Sequence, residues 1–383
     1  EDITLFNRQT HRTLALYPSV SKLAARGRFY SDDAVREFDV LDYNVEATLQ
    51  PATRHIEGRT RLSMRIRATY LATVLLRLAE PLTVSAVTSV EYGRLLHLRL
   101  HGQDAVVVNL PRPVAQDSDL TLVITYEGEL PSQAIDSDVV QVEQDTTVRD
   151  RRDDLADIFN RPEPYLLLSN RSFWYPQNPV QDYATATMRL TVPDEYAVVA
   201  SGEPSSGESY VTLREIMAVP GGKAFTWRAR QPLRYLAAVI SRFAPAGEGK
   251  VQVVDDPSRS TGVDAVTIAV HTTPRLRTRG ADIARTTQDI VGFYTRLVGD
   301  APYTAMSIAL LENQLPGGHS PGYFAILHEP LPNSTPTWRG DPAAFLSFPD
   351  FFLAHEVAHQ WWGQGVGWKN YHEQWISEGF SQY

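Results

Sequence analysis

The segment His355-Glu356-Val357-Ala358-His359, with Glu378 nineteen positions after the second histidine, constrains this chain more than any other feature of its sequence. On a helix, residues i and i+4 share one face a turn apart, so His355 and His359 would aim two imidazoles at one point. Two histidine nitrogens and a carboxylate oxygen form a donor set that zinc takes at about 2.0–2.2 Å, leaving a fourth position open. Glu356 sits one step round the helix from the first histidine. It can reach a water at that open position without binding the ion itself. The surroundings read as helix: Ser347, Pro349 and Asp350 are start signals, and Gly363, Gly365 and Gly367 stop it. A second helical stretch, about 371–383, carries Glu378, and the short Gly-rich turn between them would fold it back onto the histidines. The bare pentapeptide also fits a surface helix with two solvated histidines. The carboxylate at its spacing, inside Trp375-Ile376-Ser377-Glu378-Gly379-Phe380, separates the two readings.

The composition is that of an ordinary globular protein with a sizeable core, 43% hydrophobic and 21% charged, and 383 residues predict two domains. A net charge of −9 argues against nucleic acid as a partner. No apolar run approaches the roughly 18 residues needed to span a bilayer. There is no cysteine, so disulfides are excluded. Compartment and oligomeric state do not follow from the sequence. Residues 1–37 show no clear pattern. From residue 38 to about 245 the alternation predicts half-buried strands: Tyr43, Val45, Ala47 and Leu49; Leu62, Met64 and Ile66; Leu120, Leu122, Ile124 and Tyr126; Ala186, Met188, Leu190 and Val192. A new regime then opens with a strand at Ala265–Val270. A helix follows, with Ile283, Ile290, Tyr294 and Leu297 as its apolar stripe and Gly299 as its stop, and then strands near 307–311 and 323–327. The expected domains are 1–245 and 246–383.

The string His355–Gly363 with Glu378-Gly379-Phe380 resembles the aminopeptidase N family of gluzincins, to which leukotriene hydrolase and the endoplasmic-reticulum aminopeptidases also belong. Phe38–Val45, Ile56–Arg59, Trp174-Tyr175-Pro176 and Val192–Tyr196 are similar to its N-terminal strands, so the resemblance covers most of residues 38–383. It implies an α+β fold: an N-terminal all-β, saddle-like sandwich domain, then the first part of a thermolysin-like catalytic domain. It implies one zinc per chain on His355, His359 and Glu378, Glu356 as general base, and a peptide substrate. Glu373 falls where the family places an Asp that accepts the free N–H of a ligating histidine. Gly317, Gly318, His319 and Ser320 align with the strand that pairs with substrate.

Two departures stand out. The family holds a substrate's free amine with a Glu, where this chain has Ser320, and with a Glu or Gln, where it has Leu167. The family also carries an oxyanion-stabilising tyrosine well downstream of the zinc Glu. The chain ends at Tyr383, so it is expected to be an N-terminal fragment with a truncated catalytic domain and little activity of its own. The resemblance therefore predicts a zinc metallopeptidase with an altered amine anchor. The alternatives are a binding scaffold on the same fold, or a hydrolase of non-peptide substrates. Relatives that act as scaffolds tend to have lost zinc ligands, and here all three are present.

Overall fold

A computed structural model of the chain describes residues 3–7, 12–17, 37–135, 162–179, 183–205, 222–253, 263–312, 317–329, 348–367 and 375–382. Ser347 and Glu373 lie outside the described residues. The fold is α+β, with four β-sheets and a hairpin carrying most of the structure. The hairpin is β1 (Ile3–Asn7) with β2 (Arg12–Tyr17).

The four strands predicted by period-two alternation lie together in one eight-stranded sheet. Its members are β3 (Phe38–Gln50), β4 (His55–Ile66), β6 (Leu82–Ser89), β7 (Gly93–Arg94), β10 (Asp119–Glu129), β12 (Ala184–Pro193), β14 (Glu203–Pro204) and β15 (Gly222–Leu233). Their spatial order is β14-β15-β12-β3-β4-β10-β6-β7, and only β12 and β3 run parallel. Tyr43, Val45, Leu62, Met64, Leu122, Ile124, Met188 and Leu190 all bury on its inner face. Gly58 has a defined job there. A Cβ at that position would lie 2.4 Å from the ring of Tyr126, which crosses β4 fully buried and shares a 3.2 Å hydrogen bond with Thr60. A second sheet, β5 (Tyr70–Arg77), β8 (Leu96–Leu100) and β9 (Ala105–Ala115), adds Val74, Leu76, Val106 and Val108 to the same core.

A three-stranded sheet of β11 (Leu166–Leu168), β13 (Ala197–Ala200) and β16 (Ala238–Ser241) is the middle layer. Leu166, Leu168, Val198, Ala200, Ala238 and Ile240 pack on the core just described. The alternate residues Leu167, Val199 and Val239 pack on Ala309, Leu311, Phe324 and Ile326 of the next sheet. A strand covered on both faces needs apolar residues at every position, which accounts for the run Leu166-Leu167-Leu168.

That next sheet is β17 (Ala244–Gln252), β18 (Ala265–Thr272), β19 (Ala305–Glu312), β20 (Gly318–His319) and β21 (Phe324–Glu329), ordered β17-β18-β19-β21-β20. Helix α1 (Gly280–Val298) is the crossover joining the parallel pair β18 and β19. It ends at Gly299, φ +84°, whose N–H donates to the Thr295 carbonyl. Its buried stripe is Ile283, Ala284, Thr287, Val291, Tyr294 and Thr295, with Ile290 half-buried. Leu297, expected on that stripe, is 63% exposed, in the last turn of the helix next to Gly299. The outer face of the sheet packs Ile268, Val270, Met306, Ile308 and Leu310 against α1 and against α2 (Phe348–Ala358). The last helix, α3 (Trp375–Gln382), lies against α2.

Candidate metal centre

Helix α2 is apolar almost all round, with Phe352, Leu353, Val357 and Ala358 buried against the five-stranded sheet. His355 lies in its last turn. His359 follows its C-terminus and keeps the helical bond from its N–H to the His355 carbonyl, 3.3 Å, so the i, i+4 stacking holds. The turn after it is pinned from two sides. Trp361 donates its indole N–H to the Asp300 carbonyl, 2.9 Å, and Arg234 donates to the Gly363 carbonyl, 2.9 Å. Trp362 stacks on Phe380 of α3, and Trp361 and Trp362 both meet Tyr294. These aromatic contacts seat α3 where Glu378 meets the histidines.

Among the described residues, His355, His359 and Glu378 are the one group of three metal-competent side chains that converge. The Nε2 atoms of the two histidines are 3.1 Å apart, and Glu378 Oε2 lies 3.6 Å from the first and 3.7 Å from the second. A point equidistant from three atoms so spaced is about 2.0 Å from each, the length of Zn–N and Zn–O bonds. The protonation states agree. Burial, and the charge His359 would carry, push His355 down to about 4 against the pull of Glu378, and burial pushes His359 down to about 4 against the Trp362 carbonyl. Both rings are therefore neutral at pH 7. Nδ1 of His359 is 3.2 Å from the Trp362 carbonyl and donates to it, which leaves the Nε2 lone pair for a metal. The hydroxyls of Ser377 and Ser381, successive turns of α3, are each 3.1 Å from the same Nδ1. Nδ1 of His355 is buried with no hydrogen-bond partner among the described residues. The donor atoms, their spacing and their protonation all fit zinc.

Glu356, the next residue round α2 from His355, is 2% exposed. Its Oε2 accepts a hydrogen bond from the Ser320 hydroxyl, and its Oε1 lies over Gly318, where a Cβ would come within 2.0 Å of it. The edge strand β20 thus lies directly on this carboxylate. Gly317 and Gly318 are buried, and His319 is half-buried with Nε2 2.8 Å from the Ser169 hydroxyl. Gln360 and Gln364, in the turn that follows α2, were not singled out from the sequence. Gln360 donates to the carbonyls of Pro321, 3.0 Å, and Phe324, 3.2 Å, and accepts from the Tyr323 N–H, 2.8 Å. Gln364 donates to the Ser320 carbonyl, 2.8 Å, and to the Tyr235 hydroxyl, 3.0 Å. Their i+4 and i+8 spacing from Glu356 was the signal available.

Leu167, aligned with an amine-binding position, is fully buried between the middle and five-stranded sheets. Glu312, at the end of β19, accepts from Thr273, 2.8 Å, and pairs with Arg275, 3.2 Å.

No protein-family model matches the chain, and no curated protein sequence does. Solved structures match over most of its length. An M1 zinc metallopeptidase from Deinococcus radiodurans superposes with a TM-score of 0.62 at 21% identity, covering 90% of this chain and 69% of its own. A variant of that metallopeptidase bound to a Tyr-Ser-Ala substrate matches with a TM-score of 0.58 at 20% identity and the same coverage. A two-domain form of the variant bound to L-tryptophan gives 0.58, 20% and the same coverage. The chain has the fold of these M1 zinc metallopeptidases.

Proposed function

We propose that this protein is a zinc-dependent peptidase, with His355, His359 and Glu378 as ligands of one zinc per chain and Glu356 as general base. The observation that carries the reading is the triangle of donor atoms, each about 2.0 Å from a common point, next to a buried carboxylate on the same helix. The Deinococcus structure that holds a peptide substrate on the same fold supports a peptide as substrate here. When bound, zinc supplies a Lewis acid that polarises a carbonyl and makes water acidic enough to be deprotonated near pH 7.

The chain's own residues do the rest. Glu356 takes a proton from the attacking water and returns it to the leaving amine. Neutral His355 and His359 keep their lone pairs on the metal side. Gly317, Gly318, His319 and Ser320 lie along a sheet edge, where an extended peptide can add as a further strand, and the two glycines permit close backbone approach. Glu373 is the acceptor we assign to the Nδ1–H of His355. Residues 1–245 form the N-terminal β-domain and 246–383 belong to the catalytic domain. The substrate does not place its N-terminal ammonium as an ordinary aminopeptidase substrate does, because Ser320 and Leu167 supply no carboxylate.

The test is metal analysis with cleavage of a mixed peptide pool, read by mass spectrometry, on the full-length protein. One zinc per chain is expected, with cleavage lost on chelation and in Glu356→Gln while that variant keeps its zinc. Cleavage that survives both would overturn the reading.

A further inference from the structure

We infer that Ser320 is a positioning residue that holds Glu356 in place from the substrate-pairing strand, an inference that rests on the peptidase reading above. Gly318 and Ser320, two residues apart on an extended segment, project to one side, and that side faces Glu356. Ser320 donates to Oε2, and the bare Cα of Gly318 admits Oε1. Ser320 is 7% exposed and Glu356 2%, so the hydroxyl stands where water would otherwise solvate the carboxylate. A buried carboxylate short of a donor is costly and finds other partners by swinging away.

The segment bearing Ser320 is itself held by the turn that follows the helix bearing Glu356. Gln364 binds the Ser320 carbonyl, and Gln360 binds Pro321, Tyr323 and Phe324. Tyr323 sits at φ +76°, a conformation a tyrosine keeps only under constraint, with its ring stacked on Tyr303 at 4.3 Å. The turn after α2 holds the Pro321–Phe324 segment, and Ser320 beside it holds the base. Since β20 is also the edge a peptide would pair with, the register of the substrate and the direction of the carboxylate are set by one strand.

Two measurements test this. The first needs neither zinc nor turnover: chemical denaturation of the metal-free protein for wild type, Ser320→Ala, Glu356→Leu, which removes the acceptor, and the double variant. A coupling of about tenfold to a hundredfold in the unfolding equilibrium constant is expected between the two positions; additivity would overturn the contact. If Ser320→Ala does not fold, Ser320→Cys, similar in size but a weak donor, takes its place.

The second is steady-state kinetics on a peptide the wild type cleaves. Ser320→Ala should lower kcat about tenfold to a hundredfold, keep KM within about twofold, and retain zinc, while Ser320→Thr recovers most of kcat. A purely structural residue would instead lower the folded, zinc-loaded fraction and leave kcat per zinc unchanged, which overturns the proposal. A wild type that binds zinc and cleaves no peptide overturns the peptidase reading itself, whereas an active wild type with an equally active Ser320→Ala overturns only the role of Ser320.

Discussion

A Cβ on Gly363 would lie 2.5 Å from the hydroxyl of Ser377, the same hydroxyl that is 3.1 Å from Nδ1 of His359. Gly363 also has φ +115°, where an L-residue is strained whatever the space around it. The absence of a side chain there lets α3 close on the turn after α2 and bring Glu378 to the histidines. Gly363→Ala should therefore cost about 1–3 kcal/mol of stability. It should also weaken zinc binding about tenfold or more, although it touches no ligand. Denaturant titration and chelator competition measure the two effects; unchanged zinc affinity would show that α3 docks independently of this turn.

The three proposed ligands should differ in what their loss does. His355→Ala and His359→Ala each remove a nitrogen from a triangle with no spare donor among the described residues, and stoichiometric zinc should be lost. Glu378→Gln keeps the shape but only a neutral oxygen, so binding should weaken without vanishing. Glu356→Gln should leave zinc content unchanged. Metal analysis after dialysis against a weak chelator orders the four variants, and full zinc in His359→Ala would place the site elsewhere.

Much of this centre was legible because its constraints are local. An i, i+4 histidine pair can be read off a helix, and a strand half-buried in a sheet writes alternation into its sequence, as Tyr43 to Leu49 do. What was not legible depends on contacts between distant segments. Ser320 and Glu356 are thirty-six residues apart, and nothing periodic links an edge strand to a helix packed beneath it. Gln360 and Gln364 read like the polar side of a helix end, yet both are buried and grip a turn from another element. Leu166-Leu167-Leu168 shows no alternation because the middle sheet is covered on both faces, so the place of Leu167 was hidden in the sequence.

Nδ1 of His355 supplies a third prediction. It is buried without a partner among the described residues, whereas Nδ1 of His359 has a carbonyl and two hydroxyls around it. A ligating histidine needs an acceptor on its other nitrogen to fix its tautomer. Glu373, five residues before Glu378 in sequence, is our assignment. Glu373→Ala should weaken zinc binding about tenfold to a hundredfold, and Glu373→Gln, whose amide oxygen still accepts, should weaken it less. Equal, wild-type affinity in both variants would free Glu373 of this role.

The last prediction concerns the substrate's amino end. An ammonium buried beside the metal needs a carboxylate partner, because an unpaired buried charge is expensive. Leu167 lies between two sheets, the Ser320 hydroxyl is committed to Glu356, and Glu312 is engaged by Arg275 and Thr273. Free and N-acetylated forms of one peptide should therefore be cleaved with kcat/KM values within about tenfold of each other, and small aminoacyl reporter substrates should be poor. Restoring a carboxylate with Ser320→Glu would not create an anchor, since it would press a second negative charge onto Glu356; that variant should lose activity on both forms. A preference for the free amine of a hundredfold or more, about 2.7 kcal/mol of transition-state binding, would mean that another carboxylate meets the ammonium and that the protein is an ordinary aminopeptidase.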